Sequence, residues 1–476
     1  MKNITRRQAL GSALLAGFLT NSKAKAENTP HNHHKHHHHQ HDQAQQKSTP
    51  PPPAIDHESR YKTPQSNAFY PRTVDPNGTY PPGEPGKDYT PVLTPDSSTL
   101  PFKISGDVKI FHLTAEEVNH EFAPGLKAKL WGYNGQVHGP MIEAVEGDKV
   151  RIYVTNNLKV PTTIHWHGVI LPMGQDGVAG ITQRPIQPGE TFKYEWTFTQ
   201  HGTLMYHSHK DGMVQKGMGL MGLLIVHPRQ AAEPRPDKDF ALLLSEWDIK
   251  PGTHRPDTSV PVGFNTLTIN ARAFPGTSPL EVNTGERTRV RIGNLSAMSH
   301  HAIHLHGHSF QITETDGGVI PKAARWPETT VLVATGQTRT IEFSADNPGD
   351  WAFHCHMSHH TMNQMGHGLP NMLGVNATTI NKDIRQLVPG FMVMGEAGMG
   401  DMGKHVHHMP TPENAIPMVG LEGPYGYVSM GGMFTLLKVR DKKTNKETKS
   451  QWYNPPKGTM VQPASAAEMA KDGIKT

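Results

Sequence analysis

Apolar residues come in short runs, and turn residues separate them from about residue 101 to residue 388. Phe102–Phe111 and Lys149–Thr155 alternate or cluster β-formers, and Met221–Val226 reads as a short, fully buried strand. Arg287–Ile292, Thr330–Val333 and Thr338–Phe343 repeat the pattern and contain no proline, so a place inside a sheet stays open to them. Gly147-Asp148, Pro188-Gly189 and Gly174-Gln175-Asp176-Gly177 mark the turns. No segment carries a long apolar period of 3.6. The pattern predicts an all-β protein with two β-sandwich domains, residues 101–235 and 236–390, joined at the polar, proline-rich stretch Pro228–Pro236.

The flanks read differently. Residues 27–100 hold a tract dominated by histidine, His31–Asp42, and an unbroken proline run, Pro50–Pro53, a composition that buries no core and predicts disorder. The tract is either a surface metal trap or a solvated tail. Residues 391–476 open with a Met-rich loop (Met392, Met394, Met399, Met402 and Met409, with His405, His407 and His408) and continue as a C-terminal extension with a strand-like run, Met433–Val439. Residues 1–26 read as an export signal. Thr5-Arg6-Arg7-Gln8-Ala9-Leu10 resembles a twin-arginine motif, an apolar run too short to span a bilayer extends to Leu19, and Ala24-Lys25-Ala26 offers a cleavage site. The expected location is the periplasm, with no membrane span.

Composition sharpens this picture in one respect. Among 476 residues there are 46 Gly and 40 Pro, as many short strands and turns require. A formal charge of +4 without a Lys/Arg stripe argues against nucleic acid. Against 32 His and 22 Met stands a single Cys, Cys355. It excludes an intramolecular disulfide, and imidazole, thioether and one thiolate are donors that suit copper.

Four His-x-His pairs follow in order: His165/His167, His207/His209, His304/His306 and His354/His356. On a strand, residues two apart share a face, so each pair can offer two imidazoles to neighbouring metals. In the last pair Cys355 points to the opposite side. A thiolate there can hold one metal while the flanking rings hold others behind it. Cys355, His360 and one upstream histidine make a His₂Cys set, with Met365 placed to be a long axial ligand.

The motifs His165-Trp166-His167-Gly168, His207-Ser208-His209, His301-Ala302-Ile303-His304-Leu305-His306-Gly307-His308 and His354-Cys355-His356 with His360 and Met365 together resemble the multicopper oxidase family, which includes laccases and cuprous oxidases, over residues 102–375. The resemblance implies cupredoxin-like Greek-key domains and four coppers: one type 1, one type 2 and two type 3. It makes His301 the upstream ligand of the type 1 site. His165 and His304 would hold type 2 copper, and His167, His207, His209, His306, His354 and His356 the type 3 pair. Asp176 resembles the family's acidic residue beside the cluster, which helps deliver protons; read alone it is a turn carboxylate. Two residues depart from the pattern: Ala302 replaces a usual proline, and Gln364 replaces the glycine before the axial residue. His300, His308 and His359 read as neighbours of ligands rather than as ligands.

The 137 residues from His167 to His304 leave no room for a spacer domain. The resemblance then implies a two-domain oxidase in which clusters form between subunits of a homotrimer. Expected partners are dioxygen and a one-electron donor: Cu(I), phenols or aromatic amines, or another metal ion such as Mn(II) or Fe(II). The Met-rich stretch favours Cu(I), hence copper tolerance, or is a plain surface loop. Two other functions compete. A copper nitrite reductase would carry its blue-copper Cys in the first domain, where Ser208 stands instead. A copper-storage protein would not need ordered pairs around one Cys.

Overall fold

The structure is a computed structural model that describes residues 72–75, 78–259, 263–364, 413–418, 420–442 and 451–475. The chain divides after Lys62, and every described residue belongs to the second unit. The export signal, the His-rich tract, Met365 and the Met-rich segment up to residue 412 lie outside the described residues.

In domain 1, one sheet orders Lys103–Ser105, Val108–Ala123, Lys149–Asn156 and Thr191–Thr197, with Leu126–Tyr133 also on Val108–Ala123; the other orders Ile142–Val145, Met221–His227, Gly202–His207 and His165–His167. Lys149–Asn156 alternates strictly and turns Val150, Ile152, Val154 and Asn156 inward. Val150, Ile152 and Val154 meet Trp166, Tyr194, Trp196, Phe198 and Tyr206 in one core, where each large apolar side chain contributes about 1.5–3 kcal/mol by leaving water. The strand pattern expected from Phe102 to Phe111 divides at Gly106, whose φ of +62° suits glycine in a tight turn.

Domain 2 pairs a large sheet, in which Lys238–Trp247, Arg287–Asn294, Thr338–Ser344 and Phe310–Thr315 are neighbours, with a five-stranded one ordered Leu280–Asn283, Phe434–Arg440, Gly349–Cys355, His301–Leu305 and Thr330–Val333. Cys355 lies in the core between these sheets with Ile303, Leu305, Phe310, Phe353 and Met433. Among the described residues no helix is long and apolar enough to cross a membrane.

Two boundaries differ from expectation. The segment expected to be disordered up to residue 100 is packed over its last part: Tyr89, Val92 and Leu100 are buried, and Val92–Leu93 pairs in parallel with Asp239–Phe240. Apolar side chains spaced among prolines found a seam there instead of solvent. Domain 2 likewise does not close at residue 390, because Phe434–Arg440 lies between Gly349–Cys355 and Leu280–Asn283. Its pairing partners are far away in sequence, which local patterning does not register.

The two domains pack tightly. Met141, Met205, Met221, Leu223 and Ile225 of domain 1 meet Ala241, Leu243 and Leu295 of domain 2. Arg291 is fully buried there; its Nε and Nη2 donate to the two Asp239 carboxylate oxygens at 2.9 and 3.0 Å, and Nη1 donates to Thr203 Oγ1 of domain 1 at 3.0 Å.

Candidate metal centre

His165 and His167 form the two ends of a three-residue strand, with buried Trp166 anchoring it from the other face. His207 ends the paired strand, directly opposite His165, and His209 follows it. The His165 ring lies 5.8, 5.4 and 5.4 Å, between ring centres, from those of His167, His207 and His209. Domain 2 repeats this plan. His304 pairs directly with His354, and the His304 ring lies 4.8, 5.9 and 5.6 Å from His306, His354 and His356. All eight expected histidines thus gather, in two groups of four. Among the described residues, no ring contact or hydrogen bond joins one group to the other.

Backbone carbonyls orient these rings. The outward nitrogen, Nδ1, faces the carbonyl of Asp176 at 2.8 Å in His165, of Ser208 at 2.9 Å in His207, of Thr329 at 2.7 Å in His304 and of Cys355 at 2.8 Å in His354. An N–H donated there leaves each Nε2 lone pair free to face inward, as a metal requires. Within the groups, His167 Nδ1 and His207 Nε2 stand 3.2 Å apart, and so do the Nε2 atoms of His306 and His354. Two ring nitrogens this close share a proton or a cation. Burial pushes the His207 pKa down to about 3 and lowers those of His167, His306 and His354. Neutral imidazole is the metal-binding form.

Asp176 caps the short helical turn Met173–Gln175, and its carboxylate lies 3.4 Å from His165 Nδ1. The expected acidic residue therefore touches one of the expected rings.

The sulfur centre lies in the domain 2 core. Cys355 Sγ is 3.4 Å from His360 Nδ1 and 3.8 Å from His301 Nδ1, and those two nitrogens are 3.1 Å apart. All three residues are fully buried. Burial pushes the Cys355 thiol up to about 11, against backbone hydrogen bonds from Met357 and Ala302 that lower it, so a cation bound here would stabilise the thiolate near neutrality. One thiol and two imidazoles converging in a dry site fit copper in donor type and number. The geometry sets Cys355 on one side of its strand and His354 on the other. Covalent bonds join Cys355 to both His354 and His356, and the Cys355 carbonyl faces His354 Nδ1.

The extra histidines sit beside this machinery. His300 Nδ1 accepts from Thr335 N at 3.1 Å; His308 is buried against Phe343 and Trp351, with Nδ1 toward the His306 carbonyl at 3.2 Å. Gln364 adopts φ +56°, the left-handed region, which accounts for glycine as the usual residue at this place. Met365 follows immediately, outside the described residues.

Sequence reading missed the residues that hold these ligands. Ser296 Oγ is 2.7 Å from His301 Nε2. Glu246 accepts from the backbone N–H groups of Met298 (2.6 Å) and Ser299 (3.1 Å), fixing the loop that carries Ser296. No motif marks either, because both act through a loop whose partner lies on another strand.

Two family models described as multicopper oxidase match residues 114–231 and 249–372. Laccase-15 of rice (Oryza sativa subsp. japonica) is 32% identical over 236 residues, 45% of this chain and 38% of that protein. Copper resistance protein A of Escherichia coli is 36% identical over 154 residues, 32% of this chain and 24% of that protein. The chain thus spans less than half the length of these curated relatives. The crystal structure of the blue copper oxidase from Nitrosomonas europaea superimposes with a TM-score of 0.51 and 29% identity, covering 69% of this chain and 85% of that one.

Proposed function

The chain belongs to the multicopper oxidase family, and we propose that it couples one-electron oxidation of a donor to the four-electron reduction of dioxygen to water. The observation that carries the reading is the two-sided segment His354-Cys355-His356: a buried His₂Cys set on one side, imidazoles of a four-histidine group on the other. Bound copper would supply the electron-accepting and dioxygen-binding chemistry. The protein's part is to hold the donors in fixed positions, to keep the sulfur dry, and to offer a short covalent path from thiol to imidazole.

In this reading Cys355, His301 and His360, with Met365, hold type 1 copper. His165 and His304 hold type 2 copper, and His167, His207, His209, His306, His354 and His356 hold the type 3 pair. Asp176 holds a proton-carrying carboxylate against His165.

Each half of that cluster sits on one domain, and among the described residues no ring contact or hydrogen bond joins the halves within one chain. A second copy supplies the missing half. Exposed apolar side chains flank both halves, Met173 and Ile181 near Asp176, Leu332 and Met357 near His304 and His356, as an interface requires. Domain 1 of one copy meeting domain 2 of the next is a head-to-tail contact, which must close into a ring; we take it to be a trimer. Sedimentation should give the mass of three chains, and a monomer mass would contradict the shared cluster.

For the donor we favour Cu(I), and with it copper tolerance in the periplasm after export. The Met-rich stretch and the similarity to a copper resistance protein support this choice. The copper-loaded protein should show an intense blue band with a near-ultraviolet shoulder, and should consume oxygen with Cu(I) faster than with a phenol. Copper uptake without oxygen consumption would sink the oxidase reading in favour of storage. Deleting Met392–Met409 should slow Cu(I) oxidation selectively; equal loss for every donor would argue against a cuprous substrate.

A further inference from the structure

The two domains repeat one local design, and the repeat extends past the histidines. His165 pairs with His207 as His304 pairs with His354. Thr162 stands three residues before His165, as His301 does before His304. Ser208 follows His207 as Cys355 follows His354. Gln215 sits in the short helix Gly212–Gly217 after the second pair, and His360 in the helical turn Ser358–Thr361 after the fourth. Thr162, Ser208 and Gln215 therefore hold the places in domain 1 that His301, Cys355 and His360 hold in domain 2. Each of the three is about 1% exposed.

They meet as closely as the sulfur centre does. Gln215 Oε1 accepts from Thr162 Oγ1 at 2.7 Å and from Ser208 Oγ; the two hydroxyl oxygens are 3.4 Å apart. Gln215 Nε2 donates to the Pro161 carbonyl at 2.9 Å. The neighbouring Thr163 Oγ1 accepts the backbone N–H of His209 at 3.3 Å. The donors here are neutral oxygens already satisfied by one another, so the site neither attracts a soft metal nor needs one.

We infer that Thr162, Ser208 and Gln215 form a metal-free lock, the domain 1 counterpart of the sulfur centre, that positions His207 and His209 for their share of the copper cluster. The inference rests on the oxidase reading. In domain 2 the segment between the paired rings is to be clamped through Cys355 by copper. In domain 1 the same clamp is made of hydrogen bonds and is complete before any metal arrives. Gln215 is a positioning residue: it touches Ser208, and Ser208 is bonded to both His207 and His209.

The test uses full-length chains carrying Gln215→Leu, Thr162→Val and, as the conservative control, Thr162→Ser. In the metal-free protein, the amide hydrogens of Ser208 and His209 should exchange tenfold or more faster in Gln215→Leu than in the parent. After copper loading, chelator competition should show cluster affinity, followed by its near-ultraviolet shoulder, reduced about 10–100-fold, the usual effect of losing an outer hydrogen-bond partner. The blue band of the Cys355 centre should persist, and Thr162→Ser should behave like the parent. Unchanged exchange and unchanged cluster affinity in a folded Gln215→Leu or Thr162→Val chain would overturn the lock. So would loss of both copper signals together, which marks general destabilisation. A parent that never shows a copper signal overturns the oxidase reading, and this inference with it.

Discussion

Ser296 stands directly behind His301: its hydroxyl oxygen lies 2.7 Å from Nε2, while Nδ1 of the same ring faces Cys355 Sγ at 3.8 Å. With Nδ1 committed inward, Nε2 carries the hydrogen and donates it to Ser296. That bond selects the tautomer and fixes the plane of the ring.

Ser296→Ala should therefore weaken copper binding at the sulfur centre about 10–100-fold, and Ser296→Thr, which keeps the hydroxyl, should restore most of it. Chelator competition monitored at the blue band measures both. Equal affinity in the Ala variant and the parent would show that Ser296 does not support the ligand.

Cys355→Ser should remove the blue band and all turnover while the chain still folds. The new hydroxyl occupies a core position lined by Ile303 and Phe353, and burying it costs about 1–3 kcal/mol. Circular dichroism checks the fold, and an oxygen electrode checks turnover. Continued oxygen uptake with an ordinary donor would contradict the role given to Cys355.

Glu143 carries a pH dependence with a definite sign. Its Oε1 accepts from Val92 N at 3.0 Å and faces His227 Nε2 at 2.8 Å, and burial, aided by Asp239, pushes its pKa up to about 7, against the Val92 hydrogen bond, Arg291 and Lys109, which lower it. Between an unfolded value near 4.5 and the folded value, the folded chain binds the extra proton. Its contribution to stability is therefore present below about pH 4.5 and lost as pH rises through about 7, a change of about 3 kcal/mol. Buried histidines such as His138, held down to about 3 by burial, slope the other way, so the informative quantity is the parent minus Glu143→Gln. Urea unfolding from pH 5 to 8 should show that difference shrinking as pH rises; a flat difference would refute it.

Arg291→Met should cost about 3–5 kcal/mol, because it leaves the buried Asp239 carboxylate with only the longer Arg289 contact at 3.5 Å and removes the 3.3 Å pairing of buried Glu314. The double variant that also carries Asp239→Asn should recover much of the loss. Denaturant midpoints for the two single variants and the double variant decide the matter.

The strands were legible where each is recorded in its own residues. Thr330–Val333 matches its expected bounds, and Lys149–Thr155 and Arg287–Ile292 each extend by one or two residues. A period of two is a local signal, printed by the need to bury one face. The last part of the segment before residue 100 departs from the expected disorder because proline suppresses that signal while leaving Tyr89 and Val92 able to pack in a seam made by distant strands. The strand expected over Met433–Val439 runs from Phe434 to Arg440, but its place inside domain 2 depends on partners at residues 280–283 and 349–354.

The ligand set followed the same division. His-x-His spacing puts paired rings on one face of a strand by geometry alone, so the sequence by itself determined which imidazoles could act together and that Cys355 would face away from them. It could not determine what stands behind each ring. Ser296, Glu246 and Gln215 carry no motif, because hydroxyls, carboxylates and amides are common everywhere and acquire a role only from what the fold brings within about 3 Å. Nor did spacing reveal that, among the described residues, no ring contact or hydrogen bond joins the two four-histidine groups. How the groups sit depends on how the sandwiches pack, through side chains such as Arg291 and Met205 that are remote in sequence. Local covalent geometry sets periodicity, whereas proximity between distant residues is decided only when the whole core closes.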